Sequence, residues 1–92
     1  LQGVLLNKPK TKKIFFKNNL EAYFKWIQKE TLTPFEACLN FVYKNKDIDK
    51  FVLGFDNLKQ IKHLKNINLK KKINFPKKFT VKNKKILDPR KW

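Results

Sequence analysis

Apolar residues recur at helical spacing in three separate stretches of the chain. The first covers residues 19–29, where apolar positions three or four apart share one face of a helix. That face carries Leu20, Tyr23, Phe24 and Ile27. Trp26 lies off this face, and we expect it to pack at the edge of the apolar stripe.

The second stretch begins with the strongest local signal in the sequence, Thr33-Pro34-Phe35-Glu36. Thr33 has the side chain of a helix N-cap, Pro34 occupies the first helical position, and Glu36 is placed to complete a capping box. These residues predict a helix that extends to about Lys44. Its inward face is expected to comprise Phe35, Cys38, Leu39 and Val42, with Phe41 widening the stripe.

The third stretch contains a glycine between two elements. The short apolar run of residues 51–54 predicts a buried strand, the chain turns through Asp56 and Asn57, and residues 58–66 return to helical spacing. Asn57 and Gln60 fit a capping-box arrangement at the start of this helix. Because unpaired amides and the positive end of a helix dipole converge at such a junction, it is a candidate anion site.

Residues 1–6 are apolar and interrupted by Gly3, so we interpret them as the end of another buried strand, followed by a basic loop over residues 8–17. The element order is then strand, helix, helix, strand, helix and tail. Two strands joined by a helical crossover are expected to be parallel, and a parallel pair needs further strands and cover on both faces. The sequence therefore predicts an α/β fold that is incomplete on its own. The absence of methionine, even at position 1, likewise suggests a piece of a longer protein.

Residues 68–92 form a basic tail without a sustained period, and we separate them from the segment of residues 1–67. The tail contains many lysines and Pro76, and most of it is interpreted as a loop that lies over a surface. Phe75 and Phe79 are its candidate anchors. The terminal Trp92 is expected to dock against the rest of the chain.

The formal net charge of +16 raises the question of nucleic-acid binding. Arg90 is the only arginine, so almost all of the positive charge is lysine, and Asn, Ile and Phe are also abundant. An AT-rich coding sequence produces this combination by drift, whereas base readers and phosphate clamps favour arginine, which binds bidentately and stacks. From composition alone, a solvated lysine surface is therefore favoured over nucleic-acid binding.

Few residues suggest other chemistry. Cys38, the only cysteine, lies in an apolar helical pattern and is interpreted as a core residue in a reducing compartment, which predicts a cytoplasmic protein without disulfides. His63 is flanked by lysines, has no cysteine or acidic partner at ligand spacing, and is expected to be a surface or edge residue. Charged residues interrupt every apolar run well before the roughly 18 residues that a membrane span requires.

Three stretches together resemble the C-terminal portion of an aldo/keto reductase. Residues 1–6 resemble the family's seventh barrel strand, residues 33–42 a helix of the family that begins with a proline, and residues 52–61 the eighth strand and the start of its helix. The resemblance covers residues 1–66. It implies a (β/α)8 TIM barrel, of which this chain would be the C-terminal part, with the active site over the C-terminal ends of the strands.

The resemblance also implies a function, that of an NAD(P)-dependent oxidoreductase that transfers hydride from NADPH or NADH to a carbonyl substrate. The family's catalytic tyrosine, lysine, aspartate and histidine lie on earlier strands, upstream of Leu1, so we expect no catalytic residue in this chain. Part of the cofactor side would remain. The pyrophosphate would lie near Leu1, Gln2 and Gly3, and the adenosine end near Gly54, Phe55, Asp56, Asn57 and Gln60.

Two departures from the family pattern bear on the cofactor. Family members commonly carry arginine or lysine near Asp56 or at Gln60 to hold the 2′-phosphate of NADPH. An aspartate repels that phosphate and accepts a hydrogen bond from a ribose hydroxyl, as acidic residues do in NAD-preferring sites. Where many members have a Glu-Asn pair for the adenine, this chain has His63-Leu64. The choice between NAD and NADP stays open.

Three functions are left open by the sequence. The first is the cofactor-side segment of a carbonyl reductase. The second is a small basic module that binds nucleic acid through charge and aromatic residues, and the third is a noncatalytic, truncated reductase-like protein. Fluorescence on titration with NADH or NADPH tests the first, and salt-dependent affinity for DNA or RNA tests the second.

Overall fold

The structure is a computed structural model that describes residues 3–8 and 14–92. Within this part the chain forms three helices of two turns or more: α1, Lys17–Lys29; α2, Pro34–Tyr43; and α3, Leu58–Lys65. A one-turn helix, α4, covers Lys84–Leu87. Single 3₁₀ turns cover Lys77–Phe79 and Pro89–Lys91.

None of the described residues forms a strand, so the predicted α/β fold is wrong. The chain is a small helical domain and not a part of a (β/α)8 barrel. Residues 51–54, expected as a buried strand, lie in the extended segment of residues 51–55, but no other described segment donates to or accepts from its backbone. An apolar extended segment becomes a strand only when a second segment supplies the ladder of hydrogen bonds. A local apolar pattern does not reveal whether such a second segment exists.

The other expected strand, residues 1–6, is also corrected where the structure describes it. Residues 3–6 form a turn in which the Leu6 and Asn7 amides donate to the Gly3 carbonyl oxygen at 2.9 and 3.1 Å. Gly3 has a φ of +68°, a backbone conformation that glycine adopts at little cost. Leu1 and Gln2 lie outside the described residues.

The core forms around the apolar face of α1. Leu20, Phe24 and Ile27 are buried as predicted, and Tyr23 packs partly buried against them. Trp26, expected only at the edge, is buried as well. Trp26 is buried because two aromatic rings of the C-terminal segment pack against its indole.

Those rings belong to Phe75 and Phe79, whose centroids each lie 5.5 Å from that of Trp26. At the end of the chain the Trp92 ring lies 5.0 Å from Phe16, and its indole N–H donates to the carbonyl oxygen of Ile86 at 3.0 Å. The anchors expected from the sequence are therefore in place. Residues 73–92 contribute to the core instead of extending away from it.

The capping box of α2 is confirmed. The Glu36 amide donates to Thr33 Oγ1 at 3.2 Å, and the Thr33 amide donates to Glu36 Oε2 at 2.9 Å. The buried face of the helix differs from the predicted one, since Ala37, Leu39 and Asn40 are buried while Phe41 is 56% exposed. The helix packs only one side against α1 and leaves Phe41 to contact the C-terminal segment.

Within the described residues, no helix has the length and apolar character needed to cross a membrane.

Candidate functional site

The junction that the sequence singled out lies at the start of α3. Asn57 is extended and accepts a hydrogen bond from the Gln60 amide at 3.1 Å through its side-chain Oδ1, which confirms it as the N-cap. Gln60 Oε1 accepts from the Asp56 amide at 2.8 Å, one residue earlier than a capping box requires. The start of the helix is thus held by two side chains from residues 57–60, and the chain turns sharply into it.

The junction is open to solvent. Gly54, Asp56 and Asn57 are exposed, and Phe55 and Gln60 are half-buried. Apart from its two chain neighbours, Gly54 has no residue with an atom within 4 Å of where a Cβ would lie. The predicted adenosine-site residues are therefore adjacent and accessible, at a helix N-terminus whose first amides favour an anion.

The predicted pyrophosphate residues are not joined to this junction by any hydrogen bond that the structure describes. Gly3 hydrogen-bonds only within its own turn. Leu1 and Gln2 fall outside the described residues. Of the eight predicted cofactor residues, the structure groups the five that lie within residues 54–60.

His63 serves a packing role. Its Nε2 lies 3.5 Å from Thr33 Oγ1, and its ring centroid lies 5.5 Å from that of Phe35. Through this residue α3 contacts the N-terminus of α2. The described residues contain no group of three histidine, cysteine or acidic side chains able to hold a metal ion.

Cys38 and Tyr23 are two half-buried titratable groups in contact with each other. The Tyr23 hydroxyl lies 3.4 Å from Cys38 Sγ. Burial, followed by the hydrogen bond to Cys38, raises the pKa of Tyr23 far above its usual value. Burial also raises the pKa of the Cys38 thiol, although the hydrogen bond from Tyr23 opposes this. Both groups stay protonated at neutral pH, so neither is an activated nucleophile. Cys38, expected in the core, is half-buried.

The positive charge is concentrated in the C-terminal part of the chain, and its exposure agrees with the solvated lysine surface that the composition predicts. Residues 57–92 hold twelve lysines, Arg90 and a single acidic residue, Asp88. All thirteen basic side chains are exposed. Arg90 donates to both Asp88 oxygens at 2.9 Å, which lowers the pKa of the Asp88 carboxyl and compensates its charge. In the sequence, the change to a lysine-rich composition near residue 57 indicates this concentration of charge.

An exposed aromatic ring accompanies this charge. Phe41 is 56% exposed, and its centroid lies 5.3 Å from that of Phe75 in an edge-to-face contact of 82°. At the C-cap of α2, Lys44 Nζ donates to the Lys71 carbonyl oxygen. These two contacts place the C-terminal end of α2 against residues 71–75. Helical spacing favours a core position for Phe41 over a base-stacking one, and its exposure in the structure corrects that expectation.

Comparison of the chain with protein-family models, with curated proteins and with solved structures finds no match.

Proposed function

We propose that the Gly54–Gln60 junction forms the adenosine side of a nicotinamide-cofactor site, in a protein that reduces a carbonyl group. The observation that carries the proposal is the capped and exposed start of α3, where Asp56, Asn57 and Gln60 occupy the positions that resemble the reductase pattern. The open space around Gly54 supports it, because a ligand can approach the backbone there.

Each residue has a role in the proposal. The exposed Asp56 carboxylate accepts a hydrogen bond from a ribose hydroxyl, and its charge disfavours the 2′-phosphate of NADPH. Asn57 and Gln60 hold the turn, so that the amides of the first helical turn face the ligand. The expected preference is therefore NADH over NADPH.

The resemblance that suggests the cofactor also implied a barrel, which the described residues do not form, so the proposal rests on the α3 junction alone. It assigns no catalytic residue to residues 1–92, and Tyr23, Tyr43 and His63 have no part in hydride transfer. The third function left open by the sequence, a noncatalytic reductase-like protein, would contain the same junction. Such a protein would bind the cofactor but would not catalyse hydride transfer. A reducing compartment such as the cytoplasm is part of the proposal, and the protonated, lone Cys38 supports it.

The test is titration of the protein in its natural form with NADH and with NADPH, followed by nicotinamide fluorescence. We expect a fluorescence increase with tighter binding of NADH. In the Asp56→Asn variant the affinity for NADPH should rise relative to NADH, because the repulsion of the 2′-phosphate is removed. Asp49→Asn is the matched control, since it removes one exposed acidic charge outside the junction and should leave the preference unchanged. No change with either cofactor would contradict the proposal.

A further inference from the structure

The lysines of the C-terminal part are held in place by the core. Between them in sequence lie Ile73, Phe75, Phe79 and Ile86, which pack against the α1 cluster. Lys77 and Lys78 precede the Phe79 anchor, and Lys84 and Lys85 precede Ile86. Because the anchors face inward and every lysine is exposed, the backbone that carries the positive charges is already ordered. Ordering a flexible tail would otherwise cost free energy on binding.

One part of this surface combines charge with an exposed ring. We define the lysine face as Phe41, Lys44, Lys70, Lys71, Lys72, Lys77 and Lys78. The Phe41–Phe75 and Lys44–Lys71 contacts join α2 to the lysine run of residues 70–72. Phe75 and Phe79 both pack on the Trp26 ring. Lys77 and Lys78 lie between these two anchors in the sequence.

We propose that the lysine face binds single-stranded nucleic acid, with a base stacked on Phe41 and backbone phosphates contacting the lysines. A stacking ring beside a positively charged groove or strip is the arrangement by which proteins bind single strands without sequence preference. A duplex keeps its bases stacked internally and offers nothing to an exposed phenyl ring outside the grooves. The exposed half of Phe41 therefore favours a single strand.

The scarcity of arginine counts against base reading and bidentate phosphate clamping, but it leaves phosphate contacts by lysine possible. Arginine favours bidentate reading of bases, whereas lysine contacts phosphate as a point charge. A face built almost wholly of lysine thus binds the backbone and does not read the sequence.

The first experiment measures binding of fluorescently labelled 20-nucleotide oligomers, poly-dT and poly-rU, to the 92-residue chain by fluorescence anisotropy over a range of salt concentrations. Affinity should fall steeply with salt, as expected when lysines displace condensed counterions. The two oligomers distinguish DNA from RNA, and binding of either supports the proposal. A duplex of the same sequence length should bind more weakly than the preferred single strand.

Two sets of variants locate the contact. Replacement of Lys70, Lys71 and Lys72 by Gln should reduce the slope of log affinity against log salt by about 2, because each single-strand phosphate contact contributes about 0.7. The matched control replaces the exposed Lys25, Lys29 and Lys50 by Gln, which gives the same net charge. The control slope should change by much less.

The stacking contact is tested by Phe41→Ala, which should weaken binding by roughly tenfold or more. Phe41→Leu keeps an apolar side chain against Phe75 and serves as the folding control, and it should weaken binding similarly because it lacks a ring. Circular dichroism of both variants checks that the helices are retained.

Three results would overturn the proposal. They are equal effects of the two lysine triples, unchanged affinity of the folded Phe41→Leu variant, and binding of anionic lipid vesicles or an acidic peptide in preference to the oligomers.

Discussion

The rings of Trp26 and Phe79 lie 5.5 Å apart at an interplanar angle of 63°, edge towards face. The contact joins the middle of α1 to the 3₁₀ turn over Lys77–Phe79. Phe75 covers the same indole at an equal distance. The C-terminal segment is thus a structural part of the domain, and the positions of its lysines depend on these rings.

Replacement of Phe79 by Ala should lower the free energy of unfolding by about 1–3 kcal/mol, less than for a fully buried phenylalanine because its ring is only partly covered. Urea denaturation followed by tryptophan fluorescence measures the change. Leu87→Ala is the control, since Leu87 is 60% exposed and its truncation should cost little. Equal losses in the two variants would mean that Phe79 is not an anchor.

The Thr33 cap gives a second prediction. Thr33→Ala removes the oxygen that accepts from the Glu36 amide and should destabilise the protein by about 1 kcal/mol. Thr80→Ala provides the comparison, because Thr80 is exposed and its side chain makes no described hydrogen bond. The thermal midpoint should fall in the first variant only, and an unchanged midpoint in Thr33→Ala would argue against the capping box.

Thr31 offers a stabilising change. Its φ of +53° lies in the left-handed region, which is costly for a β-branched residue and suits glycine. Thr31→Gly should therefore raise the free energy of unfolding by about 0.5–1 kcal/mol, once the greater freedom of glycine in the unfolded chain is subtracted. Thr80→Gly, at a φ of −66°, should gain nothing. A loss of stability in Thr31→Gly, measured in urea, would contradict the turn geometry.

Stability should fall at alkaline pH because of the Tyr23–Cys38 pair. Burial raises both pKa values in the folded protein, so the unfolded chain releases these protons first. The unfolded state then binds fewer protons, so the free energy of unfolding decreases as the pH rises above about 9. At lower pH the contribution is fully present.

Urea denaturation between pH 7 and 11 measures this dependence. Tyr23→Phe should flatten the decrease above pH 10, whereas Tyr43→Phe, at a residue 53% exposed, should not. A slope unaffected by Tyr23→Phe would show that the tyrosine is not responsible.

We expect the protein to self-associate through the extended segment of residues 51–55. Val52 is 98% exposed beside the unpaired backbone of this segment, a combination that promotes pairing between chains. Val52→Lys should reduce light scattering at high protein concentration and leave the thermal midpoint nearly unchanged. Leu87→Lys adds the same charge at another exposed residue and should have a smaller effect. Identical scattering of the wild type and Val52→Lys would exclude the segment as the cause.

Local signals in the sequence predicted local structure well. The starts of α2 and α3 follow from Thr33 and Asn57, because a helix cap involves only residues within one turn. The apolar face of α1 also followed from its spacing. These elements need no information about distant parts of the chain.

The errors arose where structure depends on distant partners. Residues 51–55 have the composition of a strand, but the described residues contain no second strand to pair with them. Trp26 was placed at an edge because nothing in its own helix indicated that Phe75 and Phe79 would cover it. The lysine face also depends on distant contacts, because Phe41 contacts Phe75 and Lys44 contacts Lys71.

The placement of residues 73–92 in the core is tested most directly by nuclear Overhauser contacts of the Trp26 indole in the 92-residue chain. We expect cross-peaks to the rings of Phe75 and Phe79, and a separate set between Trp92 and Phe16. Absence of these contacts, with random-coil chemical shifts over residues 73–92, would contradict the fold and leave the lysine face without an ordered base.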